Sequence, residues 1–267
     1  MAFKAKDLIR LLGKIKNNNK AKEFYLTDTV QEAYLEKLNI QSLSLSDTNE
    51  VLGCNTLEEL QALEKAYHIS TAKKFLNKGV SFADIEKVKF RGNISIEKGA
   101  FIDENVIFEG TVSIGTNAKI GPGCIISNSE IGKNAELLAY SIVEESMLES
   151  NAKAGPFAHV GVQTRMEEGA EIGNFVETKR SNIGANSKAK HLAYIGDGRI
   201  GKGVNIGAGT IFCNYDGVKK HITKIQDDAF IGSNSALVAP LTVGANSYVG
   251  SGSVVTKNVG KGQLAIG

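Results

Sequence analysis

The most regular feature of the chain is an apolar residue at every sixth position. The longest uninterrupted series comprises Ile225, Ile231, Leu237, Val243, Val249 and Val255. Shorter series of the same kind are Ile114, Ile120, Ile126 and Ile200, Ile206, Phe212. A period of six fits neither an amphipathic helix nor a half-buried strand, but it is the signature of a parallel β-helix. Each hexapeptide then supplies one short strand and one corner, and three strands close a coil of about 18 residues.

This period predicts about nine coils between residues 85 and 260. The repeating isoleucines and valines point inward and form the core, while glycine, asparagine or alanine occupies the corners. Each coil satisfies its backbone hydrogen bonds from its neighbours. Since the apolar residues are accounted for by the core, chemistry is expected where the repeat is interrupted.

The first 80 residues show a different, helical spacing of apolar positions. Three helices are predicted, around residues 8–15, 30–38 and 57–67. Thr27 or Asp28 can cap the second helix, and Thr56-Leu-Glu-Glu resembles a capping box that opens the third. Residues 40–45 alternate like a single strand.

Glycine is unevenly distributed and marks the same boundary. Of the 29 glycines in 267 residues, only Gly13, Gly53 and Gly79 fall within the first 90 positions. Proline occurs only three times, so the many corners are made without it. A small α-rich segment followed by a mainly β domain is therefore predicted.

Charge and composition exclude several classes of protein. The 31 lysines and arginines nearly balance 29 acidic residues, and a net charge of +2 gives no footprint of a nucleic-acid binder. No apolar stretch approaches the roughly 18 residues of a membrane span, and no secretory signal is present, so a cytoplasmic protein without membrane contact is expected. Cys54, Cys124 and Cys213 are widely spaced and are interpreted as reduced thiols.

Three interruptions of the repeat carry candidate chemistry: residues 174–180, 188–197 and 213–221. The last is too long for a corner and should project as a loop. Lysines beside a neutral histidine suit a phosphorylated amine, because cations fix the phosphate and an imidazole with a pKa near ~6.5 can accept the amine proton. From this pattern alone His191 fits a site role or a surface role equally well, whereas His68 and His221 have no supporting context.

A zinc site and a nucleotide-phosphate loop are not indicated. His159, His191 and His221 are separated by 32 and 30 positions. Neither spacing is a multiple of about 18, so these imidazoles should not share one face of the β-helix. The chain also lacks a GxGxxG after a strand and a GxxxxGK[ST] motif. No metal is expected.

The interrupted segments resemble the acetyltransferase half of the bacterial bifunctional uridyltransferase and glucosamine-1-phosphate acetyltransferase family, GlmU. The matching motifs are Gly155-Pro-Phe-Ala, Ile172-Gly-Asn-Phe-Val-Glu, Ser187-Lys-Ala-Lys-His-Leu-Ala-Tyr-Ile-Gly-Asp, Val204-Asn-Ile-Gly-Ala-Gly-Thr, Cys213-Asn-Tyr-Asp-Gly and Phe230-Ile-Gly-Ser. The resemblance implies a left-handed β-helix that forms a homotrimer with active sites between subunits. It also implies transfer of acetyl from acetyl-CoA to glucosamine 1-phosphate, in the synthesis of UDP-N-acetylglucosamine for peptidoglycan and lipopolysaccharide.

The resemblance also implies roles for individual residues. His191 matches the general base; Lys179, Tyr194 and Asn205 match sugar-phosphate contacts; Lys220 matches a further phosphate-binding lysine; and Glu177 matches a residue that positions the amine. Ala208, Asn214, Tyr215, Ser233 and Ser251 match acetyl-CoA contacts. Asn214 or backbone N–H groups are candidates for stabilising the oxyanion.

The first part of the chain resembles the end of the family's uridyltransferase domain, in the motifs Glu23-Phe-Tyr-Leu-Thr-Asp and Glu50-Val-Leu-Gly-Cys-Asn. The expected organisation is a uridyltransferase remnant at 1–57, a linker helix at 58–79 and the β-helix acetyltransferase domain at 80–267. Asn55 matches one magnesium ligand, but the nucleotide loop would precede Met1. No uridyltransferase activity is therefore expected, since one ligand cannot hold the metal. A separately encoded nucleotidyltransferase is an expected partner.

Two departures from the family pattern leave alternatives open. Gly161 stands where the family has a phosphate-binding arginine, a contact that contributes about 1.5–3 kcal/mol, and Arg165 or Arg180 are candidates to replace it. The chain also ends at Gly267, before the family's CoA-contacting arginine. The alternatives are an acetyltransferase for a different amino sugar, or a catalytically decayed trimeric scaffold or partner subunit.

Overall fold

The computed structural model describes residues 1–45 and 51–267, which divide into two compact units, Met1–Gly53 and Cys54–Gly267. The first unit contains helix α1 (Ala5–Leu12) and helix α2 (Asp28–Leu35). Leu11 and Ala33 are the buried apolar residues of these helices. Both helices lie where the apolar spacing predicts them.

Two local predictions for this unit are wrong. Thr27 precedes α2, but its backbone is helical (φ −60°, ψ −27°) and its side chain makes no capping bond, while Asp28 is already the first residue of the helix. The residues predicted as a strand, 40–45, have no regular secondary structure. A lone strand lacks a neighbour for its backbone N–H and C=O groups, and the described residues of this unit contain no other strand. Glu50 of the second resemblance motif lies outside the described residues.

Helix α3 (Leu57–Leu76) opens the second unit and begins at the predicted capping box. The Thr56 hydroxyl accepts a hydrogen bond from the Glu59 backbone N–H at 3.2 Å. In return, the Glu59 carboxylate accepts from the backbone N–H of Thr56 at 3.2 Å and of Asn55 at 2.6 Å. Because these bonds satisfy donors that the first helical turn leaves free, the helix start is well defined.

The inner surface of α3 packs on the first coil of the β-helix. His68, Ala72 and Phe75 are its buried residues. The Phe75 ring lies 5.7 Å from the ring of Phe90, which in turn stacks on Phe108 at 5.7 Å. The helix therefore shields the first coil's apolar residues from water.

The rest of the second unit is a parallel β-helix with three ladders of short strands, described below as three faces. The first face consists of Ser81–Phe82, Phe101–Ile102, Lys119–Ile120, Glu136–Leu137, Lys153–Ala154, Glu171–Asn174, Lys188–His191, Asn205–Ile206, Phe230–Ile231, Tyr248–Val249 and Leu264–Ala265.

Two longer strands, Lys89–Ile96 and Ile107–Ile114, run across both the second and the third face. The second face continues with Ile125–Ser127, Ile142–Glu144, His159–Val160, Glu177–Lys179, Tyr194–Gly196, Ile211–Cys213, Ala236–Val238 and Val254–Val255. The third face continues with Glu130–Ile131, Met147–Leu148, Arg165–Met166, Asn182–Ile183, Gly198–Ile200, Thr223–Ile225 and Leu241–Val243.

The predicted architecture, mainly β with hexapeptide repeats after a small α-rich segment, is confirmed, and it agrees with the left-handed form that the resemblance implies. Eleven strands on the first face give ten steps between coils, one more than the period alone predicted. Register partners are mostly 17 or 18 positions apart, as in Lys188 with Asn205. Asn205, however, pairs with Phe230, 25 positions later. The additional residues form the predicted projecting loop.

Each coil turns three corners, and most of the corner backbones have positive φ. The first corner joins the first face to the second, the second corner joins the second face to the third, and the third corner returns the chain to the first face. At the third corner Asn117, Asn134 and Asn151 stack in successive coils, linked by side-chain hydrogen bonds of 3.5 and 3.2 Å. Asparagine suits this position because it tolerates the left-handed conformation.

Candidate active site

Four of the predicted residues align along the first corner. On the first face Ala189 pairs with Ile206, and the same line of register continues through Ile231 to Val249. The residue two positions after each of these is a predicted site residue: His191, Ala208, Ser233 and Ser251. Asn174, which pairs directly with His191, occupies the same position one coil earlier. We call this column of five residues the first-corner edge.

Glycines bring successive coils close together along this edge. A Cβ at Gly207 would lie 2.5 Å from the backbone nitrogen of Ser233, and one at Gly232 would lie 2.4 Å from that of Ser251. The coils therefore pack backbone to backbone, and only small side chains follow His191 along the edge. With coils about 4.8 Å apart, the edge extends about 14 Å from His191 to Ser251.

The imidazole of His191 is exposed, and Asn174 fixes its orientation. His191 Nδ1 lies 2.7 Å from Asn174 Oδ1. An amide oxygen only accepts hydrogen bonds, so Nδ1 carries the proton and donates it, which leaves Nε2 with a free lone pair. This arrangement holds His191 in the tautomer that a general base needs. Sequence reasoning gave Asn174 no role, although its separation from His191, 17 positions, equals one coil.

The second face carries three further predicted residues. Glu177 pairs with Tyr194, and Lys179 pairs with Gly196. The Tyr194 hydroxyl lies over Gly196, where a Cβ would approach it to 2.5 Å. Lys179 makes no ion pair with any residue that the structure describes. This face therefore presents a carboxylate, an ammonium group and a phenol side by side.

At the second corner, Asn214 belongs to a partly buried network that sequence reasoning missed. Its Nδ2 donates to Asp197 Oδ2 at 2.6 Å. Arg180 donates to both oxygens of the same carboxylate, at 2.7 and 2.8 Å. The hydrogen bonds from the Arg180 guanidinium lower the pKa of Asp197 below its ordinary value. Burial opposes this shift, and the bond from Asn214 adds to it. We call these three residues the second-corner cluster. In the sequence, the signal that could have revealed this cluster is again the spacing of 17 positions, one coil, between its members.

The cluster fixes the direction of the Asn214 amide. A carboxylate accepts hydrogen bonds, so the amide nitrogen of Asn214 must face Asp197 and the amide oxygen must point elsewhere. Only one of its N–H groups is used in this bond. Asn214 therefore presents a fixed acceptor for an amine beside its remaining donor.

The projecting loop beyond Asn214 contains Tyr215 and Lys220, which form an isolated antiparallel bridge. The Tyr215 hydroxyl donates to the Gly217 carbonyl at 2.6 Å. Asp216 accepts from the backbone N–H of Lys219 at 2.6 Å, and the backbone bonds together with His221 strongly lower its pKa. His221 thus contacts Asp216 within the loop, while Lys220 is exposed at the loop surface.

The predicted residues do not meet in one pocket of a single chain. Asn205 lies on the first face, in register with Lys188 and Phe230. His191 lies at the first corner, and Asn214 at the second. About 15–20 Å of extended chain separates these two corners across the second face. One chain therefore presents two separate groups of predicted residues, one containing His191 and one containing Asn214, which we call the half-sites.

A cavity of about 400 Å³ lies elsewhere, on the third face. Glu97, Glu130, Glu149 and Glu168 contribute to its lining, and none of the predicted site residues does. The half-sites lie outside this cavity.

The two arginines considered as replacements at the Gly161 position are already paired. Arg165 lies on the third face and binds Glu149, and Arg180 binds Asp197. A Cβ at Gly161 would lie 2.6 Å from the Thr178 carbonyl oxygen, so the backbone here has no room for a side chain. His159, two residues earlier, contacts Glu144 at 2.9 Å.

The histidines considered for zinc are dispersed. His159 lies on the second face, His191 at the first corner and His221 in the loop. Among residues 1–45 and 51–267 there is no group of three or more histidine, cysteine or acidic side chains that could hold a metal ion.

Comparison with known proteins agrees with this architecture. The family model described as bacterial transferase hexapeptide (six repeats) matches residues 93–128 and 222–257. The protein called bifunctional protein GlmU from Baumannia cicadellinicola is 44% identical over 266 residues, covering 100% of this chain and 57% of that protein. A second protein called bifunctional protein GlmU, from Pseudoalteromonas atlantica, is 45% identical over 266 residues, covering 100% of this chain and 59% of that protein. The chain thus spans less than two thirds of these relatives.

Among solved structures, the acetyltransferase domain of PglB from Neisseria gonorrhoeae in complex with acetyl coenzyme A aligns with a TM-score of 0.36 at 18% identity. The alignment covers 46% of this chain and 54% of that one.

In the described part of the chain no helix is both long and apolar enough to cross a membrane.

Proposed function

We propose that this chain belongs to the GlmU family over the part of those proteins that it spans. On that premise, the chain transfers acetyl from acetyl-CoA to the amine of glucosamine 1-phosphate. The observation that carries the proposal is the His191 imidazole, exposed and held by Asn174 at the start of an edge of small residues. The product is N-acetylglucosamine 1-phosphate, a precursor of UDP-N-acetylglucosamine for the cell envelope.

The first-corner edge suits the extended arm of acetyl-CoA. The backbone N–H groups of Ala208, Ser233 and Ser251 donate to no acceptor among the described residues. They recur at the coil spacing, so they form a row of donors for the amide carbonyls of the pantetheine arm. The thioester then lies at His191, and the arm runs past Ser233 towards Ser251.

The chemistry that follows is general-base acyl transfer. His191 Nε2 accepts a proton from the sugar amine as the amine nitrogen forms a bond to the thioester carbonyl carbon. The tetrahedral intermediate collapses by breaking the carbon–sulfur bond, and the thiolate takes the proton from the imidazolium to leave as CoA. Backbone N–H groups of the edge supply donors for the oxyanion.

The second face suits the sugar phosphate. Lys179 supplies a cation that has no carboxylate partner in the described part of the chain, and Lys220 supplies another from the loop. Tyr194 on this face and Asn205 on the first face offer hydrogen bonds to sugar or phosphate oxygens, and Glu177 supplies a carboxylate for the substrate ammonium group before its deprotonation.

The separation of the two half-sites within one chain supports a homotrimer. The proposed location is the cytoplasm, where acetyl-CoA is available. In a ring of copies, the first-corner edge of one copy faces the second-corner cluster of the next, so that His191 and Asn214 act on one substrate. Association with a separately encoded nucleotidyltransferase remains a prediction of the sequence.

Acetylation of a different amino sugar is the second candidate. It is favoured by the absence of a side chain at Gly161 and by the pairing of both nearby arginines with carboxylates. A site with fewer free cations binds a phosphate dianion less tightly.

A thiol-release assay with acetyl-CoA tests the proposal, with glucosamine 1-phosphate compared against other amino sugars and the product checked by mass spectrometry. Substitution H191A is expected to lower kcat by at least about 100-fold. The matched control is K190A, the adjacent exposed residue, whose ammonium contacts Glu171. Activity only with other amines supports the second candidate, and no activity with any amine contradicts both.

A further inference from the structure

His159 lies on the second face and is bound to a carboxylate. It occupies the position that Glu177 and Tyr194 occupy in the next two coils. His159 Nε2 lies 2.9 Å from Glu144 Oε2, and because a carboxylate only accepts hydrogen bonds, Nε2 carries the proton that is donated. The side chain is 42% exposed, and Nδ1 makes no hydrogen bond with the described residues. This second ring nitrogen is therefore available to a ligand.

The imidazole lies over a glycine, beside the coil that carries Lys179. A Cβ at Gly161 would lie 3.8 Å from His159 Nε2, which is contact distance. Because Val160 pairs with Thr178, Gly161 and Lys179 occupy the same position in adjacent coils, about 4.8 Å apart. The imidazole thus supplies a polar group at a place where residue 161 itself has no side chain.

The coil after Lys179 repeats this arrangement. Tyr194 and Gly196 lie one coil after Lys179 on the same face. The Tyr194 hydroxyl lies over Gly196, where a Cβ would approach it to 2.5 Å. His159 and Gly161 stand in the same relation one coil before Lys179. An imidazole and a phenol therefore flank the strand that carries the ammonium group.

The balance of charge around Lys179 depends on the protonation of His159. The ionisable groups on the two strands packed against His159 are Glu144 on one side and Glu177 with Lys179 on the other. When the imidazole is neutral, two carboxylates outnumber one ammonium group, which opposes a phosphate dianion. When the imidazole is protonated, the charges balance, and Nδ1–H can donate a charge-assisted hydrogen bond. Phosphate binding and protonation of this imidazole therefore favour each other.

We infer that His159 is a further acceptor-binding residue, which holds the phosphate of the sugar next to Lys179 in place of a side chain at residue 161. The inference rests on the proposed function and deepens it, because it makes a sugar phosphate the acceptor class that this site selects. The acceptor is bound more tightly at lower pH, through the imidazolium.

The test is calorimetric titration of the chain with glucosamine 1-phosphate at pH 6.0 and 8.5, without acetyl-CoA. In H159Q the amide nitrogen of glutamine takes the place of Nε2 and keeps the bond to Glu144, while Nδ1 and the positive charge are lost. H159Q should raise the dissociation constant about 10-fold at pH 6.0 and less than about twofold at pH 8.5, because imidazoles change charge between pH 5 and 8. The phosphate ionises alike in both titrations, so the ratio of the two constants reports the imidazole.

A second variant and a control complete the test. H159R keeps its charge at both pH values, so at pH 8.5 it should bind glucosamine 1-phosphate at least about threefold more tightly than the wild-type chain. Glucose 1-phosphate, which lacks the amine, should give the same ratios. The control is R91Q, because Arg91 pairs with Glu109 at 2.8 Å on the same face, four coils before Gly161. R91Q should keep the wild-type constants.

Equal constants in H159Q and the wild-type chain at pH 6.0 overturn the inference, and so does a ratio that is the same at both pH values. A wild-type chain that binds neither sugar phosphate overturns it as well. If the pH-dependent ratio is observed but the wild-type chain acetylates no amine, the role of His159 is supported and only the proposed function is contradicted.

Discussion

Asn174 Oδ1 lies 2.7 Å from His191 Nδ1, and the two residues occupy the same position of adjacent coils. The amide oxygen thus determines which imidazole nitrogen is protonated. The amide is neutral, and it orients the ring through this hydrogen bond alone.

The substitution N174A is expected to lower kcat for acetyl transfer by about 10–100-fold while KM changes little, because the imidazole loses its fixed tautomer but neither substrate loses a contact. N174D retains an acceptor and adds a charge, so kcat should partly recover and the acidic limb of the pH–rate profile should move to higher pH. Steady-state kinetics from pH 5.5 to 9 measure both effects. The control is N182A, which removes an asparagine on the third face that binds Glu167. This variant should keep wild-type rates. An unaltered kcat in N174A contradicts a positioning role.

Lys179 is expected to bind the phosphate of the acceptor. K179A should raise KM for glucosamine 1-phosphate by about 10–100-fold, since one charge-assisted contact contributes about 1.5–3 kcal/mol, and should leave KM for acetyl-CoA unchanged. The control is K224A on the third face. If KM for glucosamine 1-phosphate is equal in K179A and the wild-type chain, residues other than Lys179 bind the phosphate.

Gly232 is expected to be essential to the first-corner edge. In G232A the new Cβ meets the Ser251 backbone nitrogen at 2.4 Å, so the two coils must separate. We expect a loss of stability of about 1–3 kcal/mol, as for overpacking of an interior, and a higher KM for acetyl-CoA. Urea unfolding and kinetics measure these quantities. At Gly53, where nothing lies within 4 Å, alanine should change neither.

His68 should make the stability of the second unit dependent on pH. Its Nδ1 accepts the Phe90 backbone N–H at 3.1 Å, and burial, then the charge of Lys89, lower its pKa, while Glu64 opposes the shift. Above about pH 6.5 the imidazole is neutral in both folded and unfolded chains, so its full contribution is present.

As the pH falls below about 6.5, the unfolded chain gains a proton that folded His68 resists, and stability decreases until the folded pKa is reached. The slope attributable to this group is at most about 1.4 kcal/mol per pH unit. Urea unfolding between pH 7.5 and 5 should show a shallower decrease in H68Q than in the wild-type chain. Parallel curves would show that His68 contributes nothing to the pH dependence.

The sequence alone determined the repeat, the inward positions and the place of the projecting loop. A period of six fixes which side chains enter the core, because an inward residue recurs once per strand, as Ile225, Ile231 and Leu237 do. The Thr56 capping box was also readable, because its hydrogen bonds are local in sequence.

Tertiary structure decided which residues are neighbours between coils. Most steps between coils are 17 or 18 positions, but steps of 16, 20 and 25 also occur. A period of six therefore does not reveal that Asn174 reaches His191 or that Arg180 and Asn214 share Asp197. These contacts join residues one coil apart, and the corner conformations set that register. The physical reason is that inward burial repeats locally, whereas polar partners depend on how each coil stacks on the one before it.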